Sequence, residues 1–230
     1  MKKSFILFLT TLLAATCAFA QNDWKPLFNG SNLDGWTTTG KPEGWAAENG
    51  TIACLVKGGS YLYTKDQYEN FVLSLDFKVS PPVKKLNPKT QKEEVHKCNS
   101  GVFIRWSDLK NPVHTGIEVQ VFDSVGVAQP GKHDCGALYD MVAPSKNVEK
   151  PVGEWNHLVI TCSGPQISVE LNGEKVSSMN VDDYSKAGLN PDGTKNKYKF
   201  AWKDLPRKGY IGFQDHGHRV WFKDVKIKVL

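Results

Sequence analysis

The chain has 230 residues with 29 basic and 24 acidic side chains, a net charge of +5. Its lysines form no basic stripe and no base-stacking motif accompanies them, which excludes a nucleic-acid partner. No apolar run reaches the roughly 20 residues that a membrane-crossing helix needs, so a transmembrane segment is excluded too.

In chain order, Lys2 and Lys3 precede an apolar run over 5–15 and the small-x-small triplet Ala18-Phe19-Ala20. That pattern reads as a cleaved export signal over 1–20, leaving 21–230 as a single domain in the periplasm or outside the cell. Thr16 before Cys17 fits poorly with a lipid anchor. Removing Lys2 and Lys3 lowers the net charge to +3, and the 210 residues left suit one all-β domain. The stretch 51–56 reads as a strand. Over 70–79, Phe71, Leu73, Leu75, Phe77 and Val79 alternate with Ser74, Asp76 and Lys78, the mark of a half-buried strand. Residues 81–99 are rich in Pro and Lys and read as a long loop. Strands follow at 101–106, 115–122 and 157–162. Ile167, Val169 and Leu171 alternate up to Asn172-Gly173, a hairpin signal because both turn positions need positive φ. Residues 182–205 form a second long loop, the kind that serves as a functional rim. Strands at 209–214 and 219–229 close the chain, with a parity shift between Phe222 and Val225 that predicts a β-bulge. Many short strands and no credible helix give an all-β sandwich of two antiparallel sheets.

Alternation also says which side chains leave the core. Ile117, Val119 and Val121 share one face, so Glu118 and Gln120 share the other, joined by His114 if that strand begins early. Arg105 opposes Val102 and Ile104. Gln214 and His216 oppose Ile211 and Phe213. If these strands are neighbours, Arg105, Glu118, Gln120, Gln214 and His216 converge on the hollow side of one sheet, with Trp45, Trp106, Tyr139 and Trp221 as stacking platforms for sugar rings. The plainer alternative is an ordinary wetted sheet face with Arg105 paired to Glu118. Cys54 and Cys162 sit in apolar strand-like runs and read as buried thiols. Cys98 and Cys135 lie in polar sequence and are the pair to expect if a disulfide forms.

Several segments carry a resemblance. They are Leu27-Phe28-Asn29-Gly30-Ser31-Asn32-Leu33-Asp34-Gly35-Trp36, Asn99-Ser100-Gly101-Val102 with Arg105, Gly116-Ile117-Glu118-Val119-Gln120-Val121-Phe122-Asp123, and Gly209-Tyr210-Ile211-Gly212-Phe213-Gln214-Asp215-His216. In this order they resemble the 3-keto-disaccharide hydrolase family. The resemblance implies a concanavalin A-like jelly roll and hydrolysis of glycosides whose sugar has been oxidised at C3. One departure stands out. Laminarinase-type enzymes of this fold carry alternating carboxylates on the active strand, whereas here only Glu118 and Asp123 remain around Gln120. An ordinary two-carboxylate retaining mechanism is therefore in doubt.

A C3 ketone acidifies the C2 proton, so a base, a stabiliser for the enolate oxygen and a proton donor suffice for elimination. The expected catalytic residues are Glu118 and His216, as base and acid in either order, with Arg105 at the enolate oxygen. Asn99, Gln120, Asp123, Tyr139, Gln214 and Asp215 are expected to hold sugar hydroxyls. No cofactor is marked with certainty. A divalent metal is the alternative electrophile, with His114, Glu118, His133, Asp134 and His216 as ligand candidates, although no spacing marks a metal site. A non-catalytic, lectin-like carbohydrate-binding module is the competing function.

Overall fold

The structure, a computed structural model, describes residues 23–230. The expected signal peptide at 1–20 lies outside the described residues. The strands are β1 (Lys25–Pro26), β2 (Trp36–Thr38), β3 (Trp45–Glu48), β4 (Thr51–Cys54), β5 (Tyr61–Thr64), β6 (Phe71–Val79), β7 (Val83–Leu86) and β8 (Glu93–His96). They continue with β9 (Asn99–Trp106), β10 (Ile117–Phe122), β11 (Asn156–Ser163), β12 (Gln166–Leu171), β13 (Glu174–Asn180), β14 (Tyr210–Gln214) and β15 (Val220–Val229). One antiparallel sheet runs β13-β12-β11-β6-β15-β4-β3, with β1 added beside β15. The facing sheet runs β10-β9-β14-β5-β2, and β7-β8 form a separate hairpin.

The period-2 pattern explains why the two sheets pack. Phe71, Leu73, Leu75, Phe77 and Val79 of β6 are buried against Val102, Ile104, Val119, Val121, Ile211 and Phe213 of the smaller sheet. Phe213 of β14 stacks on Phe222 of β15 with centroids 4.0 Å apart, and on Trp36 at 5.1 Å, so aromatic contact joins the layers directly. The fold is the expected all-β jelly-roll sandwich. Asn172 and Gly173 join β12 to β13 with φ of 52° and 83°. The foreseen bulge in β15 falls between Lys223 and Lys226, with Asp224 at φ 52°.

Three local expectations differ from what forms. Part of the loop expected over 81–99 is the hairpin β7-β8. Nearly all its side chains are exposed, so neither face carries the apolar row that marks a strand in sequence. Residues Pro112–Thr115 form a short helix, α1, and β10 begins only at Ile117, so His114 stands on α1 and not on the Glu118 face. Four helical residues are too few for a 3.6-residue period to show. All four cysteines after the first twenty residues are free and buried. Cys98 and Cys135 are not bridged: both join the core cluster while their polar neighbours turn outward, and Cys98 Sγ lies 3.5 Å from the Arg219 carbonyl.

Candidate active site

Glu118 is set by its strand's neighbours. On one side β10 pairs with β9, which places Phe103 opposite Glu118 and Gly101 opposite Gln120. On the other side the segment 136–139 runs alongside. The Tyr139 N–H donates to the Glu118 carbonyl at 2.9 Å, and the Gly136 N–H to the Gln120 carbonyl at 2.9 Å. With Val119 and Val121 in the core, Glu118 and Gln120 face outward from the sandwich. Gly101 is required here by close approach: a Cβ at that position would overlap the Glu118 carboxylate and lie 2.9 Å from its Cγ. Beside Glu118, Tyr61 packs edge-on to Phe103 at 5.1 Å and against Trp106 at 5.3 Å, an apolar wall outside the main core.

Asn99, Glu118, Gln120, Tyr139, Lys197, Gln214 and His216 line a cavity of about 60 Å³. That is room for about two waters at ~30 Å³ each, not for a pyranose ring. The cavity shares Asn99 and His216 with a groove of about 480 Å³, a volume typical of ligand sites. The Gln120 amide donates to Asn99 Oδ1 and to the His133 carbonyl, both at 3.3 Å. The amide oxygens of Gln120 and Gln214 are buried without a partner, so two acceptors are free for hydroxyl groups.

The Glu118 side chain is only 7% exposed, and burial pushes its pKa up to about 7, against the pull of Lys197. Lys197 Nζ stands 3.9 Å from Glu118 Oε2 and 3.8 Å from the centre of the Tyr139 ring. Burial lowers the Lys197 pKa, while Glu118 and Asp140 raise it. Burial, then the charge of Glu118, raises Tyr139. Lys197 comes from the long loop over 182–205, which is tied down beside Tyr139. The Lys197 N–H donates to Asp140 Oδ2 at 2.6 Å, and the Tyr198 hydroxyl to the Tyr139 carbonyl at 2.7 Å. His133 Nε2 lies 3.0 Å from Asp140 Oδ1, and its ring stacks on Tyr139 at 4.6 Å.

Six of the expected residues therefore meet: Asn99, Glu118, Gln120, Tyr139, Gln214 and His216. Three do not. Arg105 adopts φ 50° where the pairing of β9 with β14 slips, and this takes it out of alternation. Its guanidinium donates to the Glu69 carbonyl at 3.0 and 3.2 Å and to the Gly164 carbonyl at 2.7 Å, so it fastens two loops away from the cavity. Asp123 is buried beside Lys97 Nζ at 3.9 Å. Asp215 accepts from the Gly59 N–H and the Gly217 N–H, both at 3.0 Å, and shapes a turn. Of the proposed platforms only Tyr139 lines the cavity: Trp45 and Trp106 are buried, and Trp221 belongs to the other sheet. The metal-ligand candidates do not converge. Among the described residues no three His, Cys, Asp or Glu side chains form a group able to hold an ion, His114 packs edge-on to Tyr198 at 6.5 Å, and Asp134 accepts from Ser124 Oγ at 2.9 Å. Lys197 was missed as a residue, although the length of its loop had marked the segment.

A jelly-roll sandwich hosts many functions; this chain's relatives place it in the carbohydrate hydrolase-like class. The chain belongs to the 3-keto-alpha-glucoside-1,2-lyase-like domain family, whose sequence profile matches residues 23–228. It is 26% identical to a 3-keto-disaccharide hydrolase of Bacteroides thetaiotaomicron, over 89% of this chain and 77% of that one. A candidate glycosyl hydrolase from Parabacteroides distasonis superposes with TM-score 0.76 at 35% identity, over 91% of this chain and all of that one. A second from the same organism gives TM-score 0.67 at 25% identity, over 92% and 98%.

Proposed function

We propose that the chain hydrolyses glycosides whose sugar carries a ketone at C3, by elimination followed by hydration. The observation that carries this reading is a single carboxylate in the cavity, Glu118, buried with its pKa near 7 and facing one ammonium at 3.9 Å. Two-carboxylate hydrolysis needs a second acid at the bond. Asp123 and Asp215 are turned to other partners.

The edge of the keto sugar that bears C2 enters the cavity, with the rest of the substrate in the adjoining groove. Glu118 takes the C2 proton, and the electron pair moves to the ketone oxygen as an enolate beside Lys197. A base at hydrogen-bond reach contributes about 10²–10⁴-fold, and a fixed cation at the developing oxyanion about 10²–10³-fold. The enolate collapses, the C1–O bond breaks, and His216, at the junction of cavity and groove, gives the leaving oxygen its proton. Water then adds to the enone: its oxygen bonds C1 as His216 takes back a proton from it, and Glu118 returns its proton to C2. The free amide oxygens of Gln120 and Gln214, with Asn99 and Tyr139, hold hydroxyl groups. A purely binding module gains nothing from a carboxylate buried at this cost.

The test is to incubate the protein with 3-keto and unoxidised forms of one disaccharide, with and without chelator. Cleavage of the keto form alone supports the reading. Binding without cleavage of either form overturns it in favour of a lectin-like module, and loss of activity with chelator overturns the metal-free role of Lys197. Export belongs to the same proposal: the mature chain recovered from outside the cytoplasm begins at Gln21, and a mature chain that retains residues 1–20 contradicts it.

A further inference from the structure

The groove beside the cavity has its own chemistry. Lys85, His96, Lys97, His216 and His218 line it, and no carboxylate does. Two acids reach lining residues as ion-pair partners: Glu94 pairs with His96 at 3.8 Å and Asp123 with Lys97 at 3.9 Å. His218 is 8% exposed; its ring lies against the His216 backbone, and among the described residues neither ring nitrogen has a well-aligned hydrogen-bond partner. A buried polar side chain of this kind is satisfied by a ligand or by water. Burial lowers its pKa, and the charge of Lys85 adds to that. Phe122, two residues beyond Gln120 on the same side of β10, supplies an apolar surface in the groove. Lys85 and His96 come from the hairpin β7-β8, which pairs with neither sheet.

We propose that this groove is a subsite for the leaving half of the substrate, and that this half is an acidic sugar. Its carboxylate, sulfate or phosphate sits among Lys85, Lys97 and His218 while the ring covers Phe122. The inference rests on the proposed cleavage at Glu118 for its meaning as a leaving-group subsite, but anion binding itself needs no turnover.

The experiment is calorimetric titration of the full chain with methyl glucuronide, glucose 6-sulfate, glucose 6-phosphate and neutral methyl glucoside, at low and high salt. The expected result is at least ~10-fold tighter binding of one or more acidic sugars at low salt, with the advantage shrinking as salt screens it. The ranking of the three anions identifies which group the subsite takes. Lys85→Ala and His218→Gln are each expected to remove most of the advantage. Lys85 lies on an exposed hairpin strand, so its variant stays folded if the other does not. Equal affinity for acidic and neutral sugars, or an advantage that survives Lys85→Ala, overturns the proposal. Acidic sugars that bind to a chain unable to cleave any keto glycoside leave the subsite standing and remove the cleavage reading.

Discussion

Among the described residues two glutamates have strongly raised pKa values, the buried Glu118 and the half-buried Glu149, and only one belongs to a site. Glu118 is pushed to about 7 and Glu149 to about 8, both chiefly by burial. Glu149 accepts the Ser124 N–H at 2.8 Å and feels Asp123 and Asp134, carboxylates that raise it further. It lines none of the site's clefts. Glu118 opens on a cavity with unpartnered amide oxygens and has a lysine as its charged neighbour. Perturbation alone therefore does not mark a catalyst. Access to a cavity, together with a cation placed where charge develops, separates the two.

Kinetics breaks the comparison most sharply. Glu118→Gln is expected to lower turnover of a 3-keto glycoside by about 10²–10⁴-fold while sugar affinity persists. Glu149→Gln is expected to leave turnover within a few-fold; equal losses in both variants erase the distinction. The cation comes next. Lys197→Met should lower kcat by about 10²-fold with little change in KM. Arg105→Lys should instead lower stability, by about 1–3 kcal/mol for the carbonyl bonds it loses, and leave kcat in place. A kcat loss in Arg105→Lys that matches that of Lys197→Met returns the arginine to the site.

Acidity sharpens the comparison further. Both glutamates keep their protons to higher pH in the folded chain than in the unfolded one, where the usual value is 4.5. The folded chain thus binds more protons between about 4.5 and 8, and stability falls as pH rises through that window. For Glu118 the penalty at high pH is about 3 kcal/mol, taking ~1.36 kcal/mol per pH unit. Denaturant unfolding should show Glu118→Gln more stable than the parent at pH 8 and nearly equal to it at pH 4; a variant no more stable at pH 8 contradicts the burial cost. The smallest effect is on the pH–rate profile. kcat/KM should rise through about pH 7 as Glu118 loses its proton, and Glu149→Gln should not move that limb.

The sandwich and half of the site were legible in the residues because both follow from a period of two. Ile117, Val119 and Val121 must point inward, so Glu118 and Gln120 cannot, and the same holds for Gln214 against Ile211 and Phe213. Arg105 escaped this logic because one residue at positive φ breaks the alternation, and nothing in its neighbours announces the slip. Asp123 and Asp215 lie at strand ends, where parity no longer fixes direction and local turns capture the side chain. Lys197 belongs to a loop without periodicity. Its place is set by tertiary bonds to Asp140 and Tyr139, which sequence spacing does not encode. The hairpin β7-β8 was hidden for a related reason: a ribbon that buries neither face leaves no apolar row to read.

The most direct measurement is the fate of deuterium placed at C2 of a 3-keto glycoside. Removal of that atom by Glu118 predicts slower cleavage of the labelled substrate, and any label lost from C2 beyond that in an enzyme-free control reports exchange at Glu118 before the proton is returned. Cleavage at an unchanged rate with the label retained at C2 would contradict the account.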